Sequence, residues 1–200
     1  MESRRDLEIS LDDLLANPNE ISPVVYQYYK GLKNRRIIIN CAIETDIIEY
    51  AVLPLMEMDG DGSNAPIEII LNTVGGEIYN GFALVDAIER LQTPTTIRIM
   101  GIAASMGILI AMAAYNNPKV RTICSPFSVG LLHSGSQCME GSTHAVKDTY
   151  RFTEKYEERI KKYILSHTKI DENMYEIIER QEFWMDSDDM LKYGIVDEII

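Results

Sequence analysis

The chain has 200 residues, 46% hydrophobic and 25% charged, a balance that excludes a disordered chain, a collagen and a disulfide scaffold. One domain accommodates this length and buries about 70% of the surface of its unfolded chain. Nineteen basic against 31 acidic residues leave a net charge of −12, which repels phosphate backbones and anionic lipid and argues against nucleic-acid or membrane-surface partners.

Met1-Glu2-Ser3-Arg4-Arg5-Asp6-Leu7-Glu8 is too charged for a signal peptide, so a cytoplasmic protein is expected. Ser10-Leu11-Asp12-Asp13 offers a capping pattern for a short helix through Leu15, which Asn17-Pro18-Asn19 breaks. A second helix is expected from Ser22 to about Leu32, with Pro23 as its first residue. Arg36 to Ile39 reads as a buried strand. Thr45 to Met58 reads as a helix burying Ile47, Ile48, Ala51, Val52 and Leu55, which Pro54 should kink. Asp59-Gly60-Asp61-Gly62-Ser63-Asn64 is a loop. It shares Asp59 with the start of a calcium loop. However, Asn64 stands at the sharp-turn glycine and Ile70 at the closing glutamate, with Glu68 two positions short, so a plain turn is expected.

From Ile67 onward the chain alternates. Strands are expected at Ile67–Leu71, Thr96–Met100, Val120–Ile123 and Ser128–Leu132. The intervening helices are Tyr79–Leu91, with Leu84, Ile88 and Leu91 inward, and Ser105–Tyr115. Such βαβ units make a largely parallel sheet covered on both faces. The apolar run Ile99 to Ala114 contains Gly101 and Gly107 and falls short of the roughly 20 residues of a membrane span. Ser142 to about Leu165 is one long helix with a stripe of Phe152, Tyr156, Ile160, Tyr163 and Ile164. This helix either projects to meet another molecule or packs on its own chain. Short helices at Asp171–Glu179 and Ser187–Tyr193 precede a last strand, Val196–Ile199. Cys41, Cys124 and Cys138 are far apart, with no CxxC and no histidine at ligand spacing, so neither a disulfide framework nor a metal site is expected.

Two segments carry chemistry. Asn72-Thr73-Val74-Gly75-Gly76 follows a strand and precedes a helix, and its paired glycines allow close backbone approach. Gly101-Ile102-Ala103-Ala104-Ser105-Met106-Gly107 sits at a similar turn and places Ser105 at a helix start, where free N–H groups favour developing negative charge. It is close to a nucleophile elbow, with Ala103 at the first glycine position. An N-cap role for Ser105 is the structural alternative. A nucleophilic serine needs a base, and the histidines are His133, His144 and His167. His133 ends a strand and can be held rigidly. His144 and His167 lie at the ends of the long helix, where solvated side chains are expected. Glu182 and Asp186 are the acids available in the late segment Arg180-Gln181-Glu182-Phe183-Trp184-Met185-Asp186.

Four blocks in order carry a resemblance: Gly75-Gly76, Gly101 to Gly107, Leu132-His133, and Tyr193-Gly194-Ile195-Val196-Asp197. From about Tyr29 to Ile200 the chain resembles the proteolytic subunit of the Clp protease, ClpP. The resemblance implies an α/β crotonase-like fold of stacked βαβ units in a single peptidase domain spanning 1–200, with residues 142–166 as a projecting handle helix. It implies a serine endopeptidase with Ser105 as nucleophile and His133 as base. Gly76 and Met106 would supply the oxyanion hole, and Gly75, Gly76, Glu77 and Ile78 would hold an extended substrate through a strand following Gly76. It implies no cofactor, a peptide or unfolded-protein substrate, and a homo-oligomer of two stacked heptamers. A separate AAA+ ATPase would be the unfolding partner, since the chain has no phosphate-binding G-x-x-x-x-G-K-[ST].

The chain departs from that pattern in three places. The catalytic aspartate falls on Glu182, Val74 stands for the proline before the paired glycines, and the acidic stretch to about Glu20 is unlike the axial loops that meet the ATPase. A catalytically inactive ring subunit is the competing reading, and a crotonase-type enzyme for acyl-CoA thioesters is the third.

Overall fold

The computed structural model describes residues 22–136 and 138–200; the helix expected at Ser10–Leu15 lies outside them. Helix α1 spans Pro23–Lys33 and opens as expected, with the Ser22 hydroxyl accepting from the Val25 N–H at 3.3 Å. Strand β1 is Arg36–Ile39. The next segment does not form one regular helix. A π-helical stretch, Ile48–Val52, runs into α2, Leu53–Gly60. Pro54 has no N–H and its ring cannot sit beneath the carbonyl four residues back, so the turn before it widens and the Leu53 N–H reaches Ile48 O. Ile47, Ala51, Val52 and Leu55 still reach the core.

The remaining elements are β2 (Ile67–Thr73), α3 (Ile78–Glu89), β3 (Thr95–Ala104), α4 (Met106–Met112), β4 (Val120–Cys124), β5 (Val129–Leu132), α5 (Thr143–Ser166), α6 (Glu172–Ile178), β6 (Phe183–Met185), α7 (Ser187–Lys192) and β7 (Glu198–Ile199). Strands β1, β2, β3, β4 and β7 lie side by side in that order, all parallel. This is the α/β, crotonase-like architecture that the sequence implied. The three-residue β6 was not expected from the sequence, and it alone runs antiparallel, pairing with β5.

Strand β3 decides where the site forms. It runs through Gly101 to Ala104, four residues beyond its expected end. Thr95–Ile99 pair with Val120–Cys124 of β4, and Ile102–Ala104 pair with Val129–Leu131 of β5. Between these halves the register against β2 slips, from Leu71↔Ile99 to Thr73↔Ala103. The Asn72 side chain fills the gap, its Oδ1 accepting from the Ile102 N–H at 3.1 Å. Gly101, at φ +93, makes the bend, and a Cβ there would lie 2.7 Å from that oxygen. The bulge turns the end of β3 away from β4 and against β5.

The main core lies on one face of the sheet, where Ile37, Ile69, Leu71, Ile97 and Ile99 meet α3 and the fully buried α4. Among the described residues the expected cover is complete on one face of the sheet only. Alternate residues of β2, Glu68, Ile70 and Asn72, are only half-buried, and α1 reaches that second face at Ile38. The Asp59–Asn64 loop uses its acids to fasten itself. Asp59 Oδ1 accepts from the N–H groups of Gln92 and Thr93, and Asp61 pairs with Arg35 and accepts from the Ser63 N–H.

Candidate active site

Ser105 follows the last residue of β3 and precedes α4. Its backbone sits at φ +53, ψ −121, a region that L-residues seldom occupy and that costs about 1–3 kcal/mol. The surroundings hold it there. The Ser105 N–H donates to Leu131 O at 2.9 Å, and its carbonyl accepts from the Ile108 N–H at 3.2 Å. The hydroxyl makes no capping bond. Ser105 therefore occupies the N-cap position without acting as a side-chain cap, and its Oγ has no hydrogen bond among the described residues.

The paired glycines are packed against it. Gly75 lies at φ +95, and a Cβ on it would sit 2.6 Å from Ala104 O, 2.7 Å from Ser105 Cβ and 2.9 Å from the Met106 nitrogen. Gly76, at φ +151, is bridged to Ile43. The Ile43 N–H donates to Gly75 O at 2.8 Å and the Glu77 N–H to Ile43 O at 2.7 Å. A parallel bridge of this kind points the N–H and C=O of Gly76 itself away from Ile43. Among the described residues neither the Gly76 N–H nor the Met106 N–H has an acceptor. Thr73 steadies the turn from below, its Oγ1 donating to Cys41 O at 2.6 Å and accepting from the Gly75 N–H at 3.1 Å. Gly107 packs so closely that an added Cβ would lie 2.5 Å from Thr73 Cγ2.

One expectation fails here. No strand follows Gly76; Glu77 is the N-cap residue of α3, and Ile78 begins the helix. Glu77 has its N–H on Ile43 O and its carbonyl on the Gly81 N–H, so neither backbone group is spare for an extended chain. Helix wins over strand because Tyr79 to Ile88 carries the 3.6-residue periodicity that buries Leu84, Val85 and Ile88.

His133 directly follows β5 and is half-buried. The β3–β5 register, extended by one residue, sets Ser105 beside Leu132, next to His133. The β5–β6 register ends at Leu132↔Phe183, and one further step sets Glu182 opposite His133. Antiparallel neighbours stand about 4.5–5.5 Å apart at Cβ, within reach of side chains. The fold thus gathers Ser105, His133, Glu182, Gly75, Gly76 and Met106 at one end of the sheet. Among the described residues no hydrogen bond yet joins Ser105, His133 and Glu182. Glu182 Oε2 instead accepts from the Trp184 indole N–H at 2.9 Å. Asp186 is used elsewhere, its Oδ1 capping α7 through the Asp189 N–H at 2.9 Å.

The histidines at the ends of α5 behave differently from each other. His144 is exposed as expected, but His167 is buried. Its Nδ1 faces Tyr163 O at 2.8 Å and Ser166 Oγ at 2.9 Å. Its Nε2 faces Glu89 Oε1 and Asn116 Nδ2, both at 2.9 Å. Folding brings α5 across the end of α3, which supplies Glu89. A sequence reading of the helix end alone misses that partner.

This geometry now meets its relatives. The Clp protease family model matches residues 20–200. The chain belongs to the Clp protease family. It is 27% identical over 174 residues to the ATP-dependent Clp protease proteolytic subunit of Deinococcus radiodurans, covering 86% of this chain and 83% of that one. It is 25% identical to proteolytic subunit 1 of Salinibacter ruber, covering 84% and 71%, and 25% identical to proteolytic subunit 2 of Treponema pallidum, covering 86% and 85%. Identity this low over nearly the whole length marks a divergent Clp protease family member. Its fold is kept.

Proposed function

We propose that this chain is the proteolytic subunit of a Clp-type serine peptidase, hydrolysing peptide bonds by an acyl-enzyme route. The observation that carries the reading is the backbone of Ser105, strained at φ +53, with its hydroxyl and two neighbouring N–H groups unpartnered among the described residues. In the reaction Ser105 Oγ attacks the scissile carbonyl while His133 takes the hydroxyl proton. The tetrahedral oxyanion accepts from the Gly76 and Met106 N–H groups, which the bridge to Ile43 and the Ser105 turn hold in place beforehand. Collapse returns the proton from His133 to the leaving amine. Water then attacks the ester, again through His133, and frees Ser105.

Glu182 is the acid that orients His133, a reading supported by the β5–β6 register, which continued one step beyond Leu132↔Phe183 brings the two opposite each other. Asp186 is committed to capping α7. Substrate main chain pairs with the side of Gly76 that faces away from Ile43, and exposed Ile78 lines the approach. The α5 handle joins subunits into stacked rings, and a separate Clp ATPase feeds them, as the name of the Deinococcus relative, an ATP-dependent protease subunit, suggests. The family match begins at residue 20, so the acidic segment before it makes any ATPase contact in its own way.

The second reading is an inactive ring subunit, favoured by the lack of any hydrogen bond joining Ser105, His133 and Glu182 among the described residues. The family match favours either over an acyl-CoA enzyme. Labelling by a fluorophosphonate probe decides between the two. The assembled protein is expected to label, with the signal lost in Ser105→Ala and cut at least 10³-fold in His133→Ala. An assembled sample that stays unlabelled establishes the inactive subunit instead.

A further inference from the structure

Glu182 and Trp184 stand two residues apart at the start of β6, so their side chains lie on one face of the strand. The indole N–H donates to Glu182 Oε2 at 2.9 Å and is that carboxylate's one partner among the described residues. An indole can donate but not accept, and an ionised carboxylate can only accept, so the bond has a single polarity. It occupies one oxygen and leaves Oε1 uncommitted. Glu182 also has one more rotatable bond than an aspartate, and hence more freedom to lose when it is held for catalysis.

We propose that Trp184 is a positioning residue: its indole N–H tethers Glu182 Oε2 so that Oε1 is presented to the imidazole of His133 across the β5–β6 pair. This rests on the reading of Glu182 as the acid that orients His133. The tether offsets the longer side chain by fixing one end of the carboxylate on the same strand that sets its register. Trp184 is 53% exposed. Core packing therefore does not account for its placement, and phenylalanine can replace its bulk while removing only the donor.

The test compares the full-length assembled protein with Trp184→Phe, Glu182→Gln and the double variant, by fluorophosphonate labelling rate and by kcat and KM on an unstructured peptide. Trp184→Phe is expected to lower kcat and labelling about fivefold with KM unchanged, and to have no further effect in the Glu182→Gln background. Trp184 is the chain's single tryptophan, so the ultraviolet Raman band that reports indole hydrogen bonding belongs to it alone. That band is expected to shift in Glu182→Ala. Full activity in Glu182→Gln overturns the assignment of Glu182 and the tether with it. A crippled Glu182→Gln beside a Trp184→Phe of parental or higher rate, or an equal loss from Trp184→Phe in both backgrounds, overturns the tether alone. An unmoved Raman band does the same, and a parent that never labels overturns both readings.

Discussion

Gly75 sets how closely the paired-glycine turn and the Ser105 turn can approach. Its positive φ and its contacts with Ala104, Ser105 and Met106 leave no room for a methyl group. In Gly75→Ala the strain should cost about 1–3 kcal/mol, a fall of roughly 2–12 °C in Tm for a chain of this length. The functional loss should be larger, because a displacement of about 1 Å at a reacting centre can cost on the order of 10²-fold. Labelling of Ser105 in folded Gly75→Ala measures it. Gly60→Ala is the control, since nothing lies within 4 Å of a Cβ there. Unchanged labelling in Gly75→Ala, with Gly60→Ala neutral, would show that the contact is dispensable.

Among the elements, β1, β2 and β3 are laced across their half-exposed face by Glu68, which accepts from Arg36 at 2.6 Å and from Arg98 at 2.8 Å. Partial burial pushes the pKa of this carboxyl up, and the two guanidinium groups outweigh it and hold the pKa below the ordinary glutamate value. A group depressed in the folded state stabilises above its unfolded pKa, and that contribution disappears as pH falls through the folded value. Glu68→Gln should therefore lower Tm at pH 7 by about 2–4 °C, for roughly 1 kcal/mol. The gap should close as pH drops below about 4. Thermal scans at pH 7 and at acid pH test the sign, and a gap that persists in acid would point to packing instead of charge.

At the scale of the whole molecule, α5 has two halves with different tasks. Its C-terminal half belongs to this chain: Tyr156 meets Tyr79 and Phe82, Tyr163 packs on Phe82, and the Tyr163 hydroxyl donates to Leu109 O at 2.9 Å. Burial accordingly pushes the Tyr163 pKa far up. The N-terminal half projects, with Tyr150 and Phe152 more than half exposed. The C-terminal half thus packs on the chain's own core, and the exposed N-terminal half is the part left for an external partner to meet. Charges at Tyr156 or Ile160 would damage the root, whereas Phe152→Glu probes the projecting part. It should sediment as a smaller species with unchanged helicity, and labelling should fall at least tenfold if the site is completed on assembly. Large rings with full labelling would show that α5 does not join subunits through this face.

What the sequence determined by itself rests on local physics. The Ser22 cap, the Ile67 and Val120 strands and the amphipathic Ile78–Glu89 helix follow from spacing and turn chemistry, and the Ala104-Ser105-Met106-Gly107 turn marked the serine proposed as nucleophile. Other features depend on contacts between residues far apart in the chain. The bulge at Gly101 needs Asn72 to fill it, and strand β6 exists because β5 offers an edge for three residues to pair with. The bridge from Ile43 leaves the Gly76 N–H free, and the buried place of His167 depends on Glu89, 78 residues away. Hydrophobic period and capping chemistry are legible one element at a time. The choice of neighbour is made only when the sheet closes and each edge, bulge and buried polar group must find its partner.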